Sequence, residues 1–366
     1  MRLCSRWAAM SADPHYAATR RALLAWYDRQ KRDLPWRLTR DPYQILVSEV
    51  MLQQTQVATV VPYYQRFMAT FPTVGALADA GLDDVLAQWS GLGYYSRARN
   101  LHAACRAIAH ELGGRVPSTS KTLRTLPGVG AYIAGAVASI AFGEPVPAVD
   151  GNALRVLARL FRVRGDVRKG QARRTVGRHA TALASGSRPG EWNQAVMELG
   201  ATVCLPREPR CHECPVDRHC AARASGLIDR IPARRARPRS ERVHYLAALI
   251  MRRGRVLVAK RPEHGLWVGL WEFPNVQVPE GASPPELLRA YVHESLCLTV
   301  RPGAEVTRVR HSIMNRRIES VAYRCTAPKG RACPVWHIEA RWVTPAELET
   351  LALPSPHKRL ARCLSE

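Results

Sequence analysis

No run of about 18 apolar residues occurs anywhere in the chain, which excludes a membrane-spanning helix. The opening stretch, MRLCSRWAAMSADPHY, lacks the apolar segment of a secretory leader, so a cytoplasmic location is expected, associated with the nucleoid if the source is bacterial. Acidic residues are scarce. Thirty Asp and Glu stand against fifty-four Lys and Arg, a formal charge of +24 that points to a polyanionic partner. No unit of about 20 to 50 residues repeats, which excludes solenoids and propellers. Strand-like alternation is almost missing before residue 200, where alanine- and leucine-rich segments at helical spacing alternate with short Gly/Pro turns.

At 366 residues the chain exceeds one average core, and its composition changes in the middle. The stretch 229–242, DRIPARRARPRSER, is rich in arginine and proline without apolar periodicity, and reads as a linker. Downstream, VHYLAALIMRRGRVLVAKR alternates around Arg253-Gly254 as a hairpin would. The expected organisation is a flexible tail (1–14), an all-α domain (15–228), the linker (229–242) and an α+β domain (243–366).

Four cysteines, Cys204, Cys211, Cys214 and Cys220, fall as C-x6-C-x2-C-x5-C among Pro206, Pro209 and Pro215. Prolines enforce irregular loops that can wrap a metal centre. Zinc sites commonly pair two C-x2-C knuckles, so one knuckle with two outlying thiols favours an iron–sulfur cluster over zinc without removing zinc. A disulfide pair needs an oxidising compartment.

Two turns, Gly91-Leu-Gly93-Tyr94-Tyr95 and Pro127-Gly128-Val-Gly130-Ala-Tyr132, each lead into a helical stretch. Glycines there permit positive φ and close approach of backbone N–H groups to phosphate, and the second resembles the hairpin of a helix-hairpin-helix. Tight packing explains such turns equally well when they stand alone. Glu49 lies in a largely apolar helical stretch, DPYQILVSEVMLQQTQV, where desolvation would raise its pKa and make it a general acid near neutral pH. Asp150, between an apolar extended stretch and a helix, reads first as an N-cap, and N–H bonds to its carboxylate would keep it ionised. One protonated and one ionised carboxylate suit cleavage of a glycosidic bond through an oxocarbenium-like transition state.

Leu34-Pro-Trp-Arg37, Ser48-Glu-Val-Met-Leu-Gln-Gln-Thr-Gln-Val57, Gly91–Tyr95, Leu126–Gly130, Val149-Asp-Gly-Asn152 and the four cysteines, in this order, resemble MutY-type adenine DNA glycosylases. The resemblance implies a helix-hairpin-helix domain, its six-helix part at about 40–150 and its cluster-bearing part at about 15–39 plus 151–228. It also implies a [4Fe-4S] cluster on Cys204, Cys211, Cys214 and Cys220, and a monomer that excises adenine opposite 8-oxoguanine or guanine in duplex DNA. Glu49 would protonate adenine N7 and later activate water, Asp150 would stabilise or capture the sugar cation, and Tyr132 and Asn152 would orient them. Gln54 and Tyr94 would fill the gap left by the extruded base, Gly128 and Gly130 would meet the backbone, and Leu34, Trp36, Arg37 and Gln194 would form the adenine pocket. A simple packing role is a strong rival for Trp36. A related lyase of the endonuclease III type would carry a Schiff-base lysine where Tyr132 stands, and no lysine occurs from 122 to 168. A non-catalytic iron–sulfur DNA-binding protein would need neither carboxylate.

The tail resembles a Nudix-like lesion-recognition domain, most clearly in Gly265-Leu-Trp-Val-Gly-Leu-Trp-Glu-Phe-Pro274. After Pro274 only Glu286 and Glu294 stand where a hydrolase of that family carries R-E-x-x-E-E, so no pyrophosphatase activity is expected. The family's lesion-sensing Phe-Ser-His is replaced after His311 by Ser312-Ile313-Met314-Asn315, which leaves His311, Ser312 and Ile313 as candidates for contact with 8-oxoguanine.

Overall fold

The structure is a computed structural model describing residues 14–233, 240–279, 283–327 and 330–364; nearly all of the expected tail and the middle of the expected linker lie outside them. The chain forms two compact units, Met1–Asp79 with Asn100–Ala236, and Ala80–Arg99 with Arg237–Glu366.

The first unit is helical, as expected. Helix Pro42–Leu52 begins with proline at its first turn, and the Asp41 carboxylate accepts the Tyr43 N–H at 2.8 Å. Helix Ala131–Phe142 stops at Gly143, whose φ of 73° is the left-handed conformation that ends helices. Helix Pro189–Thr202 crosses close to it at Gly190, where a Cβ would lie 2.6 Å from the Ser139 carbonyl oxygen. Behind the crossing, buried Asn193 donates to Ser139 Oγ (2.8 Å) and the Val146 carbonyl (2.9 Å) and accepts the Ala148 N–H (3.0 Å). This side chain fixes the extended segment that delivers Asp150 to helix Gly151–Leu160. A core of Leu23, Tyr27, Val156, Leu157, Trp192 and Leu199 holds these helices together, each buried large side chain contributing roughly 1.5–3 kcal/mol.

The second unit is α+β. Its sheet contains β1 (Glu241–Arg252), β2 (Arg255–Lys260), β3 (Trp271–Glu272), β4 (Asn275–Gln277), β5 (Arg301–Ile313), β6 (Arg316–Thr326) and β7 (Glu339–Val343). The order is β3-β2-β1-β6-β5, with β4 also on β1 and β7 on β2. β1 and β6 run parallel, with Leu246 opposite Val321, and the remaining pairs are antiparallel. Arg253 and Gly254 both take positive φ, the tight hairpin geometry expected at that dipeptide. Helix Pro284–Leu296 packs Leu288, Val292 and Leu296 on one face of the sheet, and Leu360 joins the cluster on the other. Within this unit Ser90 Oγ and Tyr95 OH donate to the Leu353 carbonyl at 2.8 and 3.0 Å, and Lys260 pairs with Asp83 at 2.6 Å.

Candidate active site

Glu49 sits on helix Pro42–Leu52, 4% exposed among apolar neighbours. The Tyr132 hydroxyl, from the first turn of helix Ala131–Phe142, donates to its Oε2 and lies 3.5 Å from Met197 Sδ. Burial drives the Glu49 carboxyl up to about 7; the Tyr132 hydrogen bond and the Arg37 charge oppose the rise, and the Asp150 charge adds to it. The same burial and the two nearby carboxylates hold the Tyr132 phenol well above its ordinary range, so it stays a donor.

Asp150 caps helix Gly151–Leu160, its Oδ1 accepting the Ala153 N–H at 2.6 Å. Its carboxyl nevertheless moves upward, not downward as the capping bonds alone suggest. Burial outweighs the N–H bonds of Ala153 and Asn152 and the Arg155 charge. Arg155 ties Asn152 in place, donating to Asn152 Oδ1 (2.8 Å), the Gly200 carbonyl (2.7 Å) and the Cys204 carbonyl (2.8 Å). Gly200 is required at this crossing, because a Cβ there would lie 2.6 Å from Asn152 Cβ.

Behind Glu49 lies an ion cluster that no motif advertised. Glu198, 1% exposed on its side chain, accepts two bonds from the Arg32 guanidinium (2.6 and 2.8 Å), one from the Arg32 backbone N–H (3.3 Å) and one from Arg37 (2.7 Å). Burial pushes the Glu198 carboxyl up, but the two guanidinium groups hold it below its ordinary value. Glu198 follows Gln194 by four residues, one helical turn, and that spacing was the available signal. Gln194 accepts the Tyr27 hydroxyl at 3.2 Å, and the Arg37 guanidinium lies 5.4 Å from the Tyr27 ring. Trp36 and Leu34 are buried, with Trp36 edge-on to Tyr64 at 5.3 Å.

Asp150, Asn152, Tyr132, Gly128, Gly130 and Gln54 line one cleft of about 1190 Å³. Leu34, Trp36, Arg37 and Gln194 do not line it, and neither does Glu49, which is joined to the lining through Tyr132. Gln54, in the exposed loop after helix Pro42–Leu52, has φ of 55°, a sparsely populated value for a side-chain-bearing residue and common at functional sites. Gly128 has φ of 71°, and a Cβ there would meet Asn100 Cβ at 2.4 Å. Gly130 caps helix Ala131–Phe142 with open space where a Cβ would be.

Cys204, Cys214 and Cys220 pack at the edge of the helical core, and Cys204, Cys211 and Cys220 lie within electrostatic reach of Cys214. Burial first, then the neighbouring sulfurs, pushes the Cys214 thiol up to about 12 against a Val216 N–H bond. Among the described residues no three His, Cys, Asp or Glu side chains already form a cage for a metal ion. The surroundings fit an anionic centre all the same. Arg159, 2% exposed, donates to Cys204 Sγ (3.3 Å), the Leu205 carbonyl (2.6 Å) and the Ile231 carbonyl (2.9 Å), and no ion pair of the described residues includes it. A buried cation without a carboxylate partner calls for negative charge beside it, which metal-bound thiolates of these cysteines would provide.

In the second unit, Tyr94 stands half exposed at the Gly91–Tyr95 turn with φ of 50°. His311 is separated from its sequence neighbours. Its ring nitrogens are buried without hydrogen-bond partners, beside Trp267 (6.3 Å between rings), and burial pulls the imidazole down to about 4. Ser312 and Ile313 end β5 opposite Arg317 and Arg316, and Met314 forms the turn, 96% exposed.

Residues 47–179 match the HhH-GPD superfamily of base excision DNA repair proteins, and 246–362 match the NUDIX domain. The chain is 38% identical to the adenine DNA glycosylase of Rattus norvegicus, over 95% of this chain and 78% of that protein. It is 37% identical to the one from Homo sapiens, over 94% and 73%. A solved thermostable thymine-DNA glycosylase superimposes on 58% of the chain and 97% of its own with a TM-score of 0.53 and 29% identity. Two domains in this order, a buried glutamate held by a tyrosine beside a capping aspartate, and relatives that align with nearly all of this chain place it in the adenine DNA glycosylase family of base-excision repair enzymes.

Proposed function

We propose that this enzyme hydrolyses the N-glycosidic bond of adenine mispaired with 8-oxoguanine or guanine in duplex DNA, acting as a monomer and leaving the sugar–phosphate backbone intact. The observation that carries the reading is the Glu49–Tyr132 hydrogen bond beside Asp150. With a pKa of about 7, a large share of Glu49 holds a proton at neutral pH. That proton passes to adenine N7, the C1′–N9 bond breaks with its electron pair going to the base, and positive charge develops over C1′ and O4′. Asp150, held by the Ala153 N–H, meets that charge with its carboxylate. Once Glu49 has lost its proton, the Tyr132 hydroxyl stabilises the carboxylate, which then takes a proton from the water that adds to C1′. The base reaches these groups only by leaving the stack. Tyr132 occupies the place of a Schiff-base lysine, which favours hydrolysis over strand cleavage.

Cys204, Cys211, Cys214 and Cys220 are the ligands proposed for a [4Fe-4S] cluster, with Arg159 as its buried counter-charge. When bound, it supplies folding energy to the loop that carries Arg207 and Arg210 toward phosphates. Four iron and four sulfide per purified chain, lost together in Cys211→Ser with a fall in melting temperature, is the expected outcome; a stable, metal-free and fully active Cys211→Ser protein overturns the assignment. Recognition of 8-oxoguanine is assigned to the β5–β6 turn, from Ser312 and Ile313 rather than from the buried His311 ring.

The test of the reaction is single-turnover incubation with duplexes containing adenine opposite 8-oxoguanine, adenine opposite guanine, or thymine glycol, with and without alkali. Alkali-dependent cleavage at adenine alone is expected. Nicking at thymine glycol without alkali would refute the hydrolytic reading.

A further inference from the structure

Four arginines line the active-site cleft: Arg32, Arg155, Arg168 and Arg173. Three have partners. Arg32 is held by Glu198, Arg155 by the Asn152 side chain and two carbonyls, and Arg168 by Asp166 at 2.8 Å. Arg173 differs. Its Nη1 is buried with no hydrogen-bond partner, and no ion pair of the described residues includes it. A buried guanidinium N–H without an acceptor is costly, and a guanidinium cannot lose its charge to relieve that cost.

Arg173 lies on helix Gly170–Ala184, where the cleft adjoins a second hollow of about 540 Å³. Tyr132, Val149 and Arg173 belong to the walls of both. Arg174, Arg178, Pro147 and Ala131 also line the second hollow.

We propose that Arg173 binds a backbone phosphate of the strand carrying the target adenosine, and that the second hollow receives the sugar adjoining that phosphate. The inference rests on the excision reaction proposed above. An anionic acceptor that enters the cleft with the base would satisfy both the open N–H and the charge of Arg173, and the phosphodiester next to the target nucleotide is such a group. The fork of guanidinium donors matches two phosphate oxygens. The apolar lining of Ala131 and Pro147 suits a deoxyribose, and Arg174 and Arg178 in the same lining add positive charge beside it. Arg173 touches none of the reacting atoms in this arrangement; it is a positioning residue that holds C1′ beside Asp150.

The experiment compares wild type, Arg173→Gln and Arg173→Lys in binding to a duplex with 2′-fluoro-2′-deoxyadenosine opposite 8-oxoguanine, over a range of salt concentrations. Melting temperatures confirm that each variant is folded. Arg173→Gln is expected to raise Kd about tenfold and to reduce the slope of log K against log salt by about 0.9. Arg173→Lys keeps the slope and recovers part of the affinity. In duplexes with one methylphosphonate each, a single linkage beside the target nucleotide weakens binding by wild type and has no further effect on Arg173→Gln. If Arg173→Gln matches wild type in Kd and salt slope, or every linkage weakens both proteins alike, the assignment is wrong. A wild-type protein inert toward adenine in all duplexes would instead sink the excision reading, an outcome read in the same preparation.

Discussion

Tyr132 donates its hydroxyl proton to Oε2 of Glu49, a carboxyl that burial alone would keep protonated far above its ordinary range. The two influences oppose each other. Burial favours the acid, the hydrogen bond favours the carboxylate, and the balance at about 7 suits the proposed use of one group first as acid and then as base.

The rate of base release in single turnover follows from that balance. In the proposed mechanism the reactive form is protonated at Glu49, so the rate is expected to fall about tenfold per pH unit above neutrality, with the break near 7. Tyr132→Phe removes the bond that lowers the Glu49 pKa, and the break moves to higher pH. A break that stays in place in Tyr132→Phe, measured on the same duplex, would separate the limb from Glu49. On the acid side Asp150 must lose its proton, and its raised pKa places that limb above the ordinary aspartate range.

Asp150 is a cap that we also propose as the catalytic carboxylate, and substitutions can part the two roles. Asparagine caps as well as aspartate, so Asp150→Asn should melt close to wild type while base release falls by a factor of about 100 or more. Asp150→Ala loses both roles and should cost about 1 kcal/mol in addition. Equal melting temperatures for the two variants would show that the Ala153 bond carries no weight.

Glu198 stabilises the pocket by neutralising two cations. Glu198→Gln leaves Arg37, only 11% exposed, and the more exposed Arg32 without their anion, at an expected cost of about 2–4 kcal/mol in urea unfolding at neutral pH. The sign with pH follows from the lowered folded pKa. The contribution is complete above the unfolded glutamate value of about 4.3 and is lost as pH falls through the folded value. Wild type and Glu198→Gln should therefore converge in acid, and parallel curves would contradict the ion cluster.

The fold class was readable because helical periodicity stops where two-residue alternation begins, near Val243. The burial of Glu49 and the cap at Asp150 were readable because a carboxylate in an apolar helix and one before a helix are each out of place locally. Glu198 and Arg32 were not, since they meet across 166 positions and each alone looks like an ordinary surface charge. The sign of the Asp150 shift escaped for a related reason: its cap is local and visible in sequence, whereas its burial is made by packing from distant segments. The pairing of Ser90 and Tyr95 with Leu353 joins segments more than 250 residues apart, and no composition change marks it.

The hairpin glycines separate packing from phosphate approach. At Gly128 a side chain would collide with Asn100 Cβ at 2.4 Å, a branch point that cannot swing away, and the φ of 71° adds strain. Gly128→Ala should lose about 1–3 kcal/mol of stability together with DNA affinity. Pairing it with Asn100→Gly removes the collision, so the double variant should recover stability relative to the sum of the single changes. Gly130 has ordinary φ and open space around it, so Gly130→Ala should cost under about 1 kcal/mol. Its methyl group would stand between the turn and a phosphate. A Gly130→Ala protein that melts like wild type yet binds duplex DNA more weakly, with the loss shared equally by matched and mismatched duplexes, assigns the turn to the backbone; unchanged affinity would make both glycines a matter of packing alone.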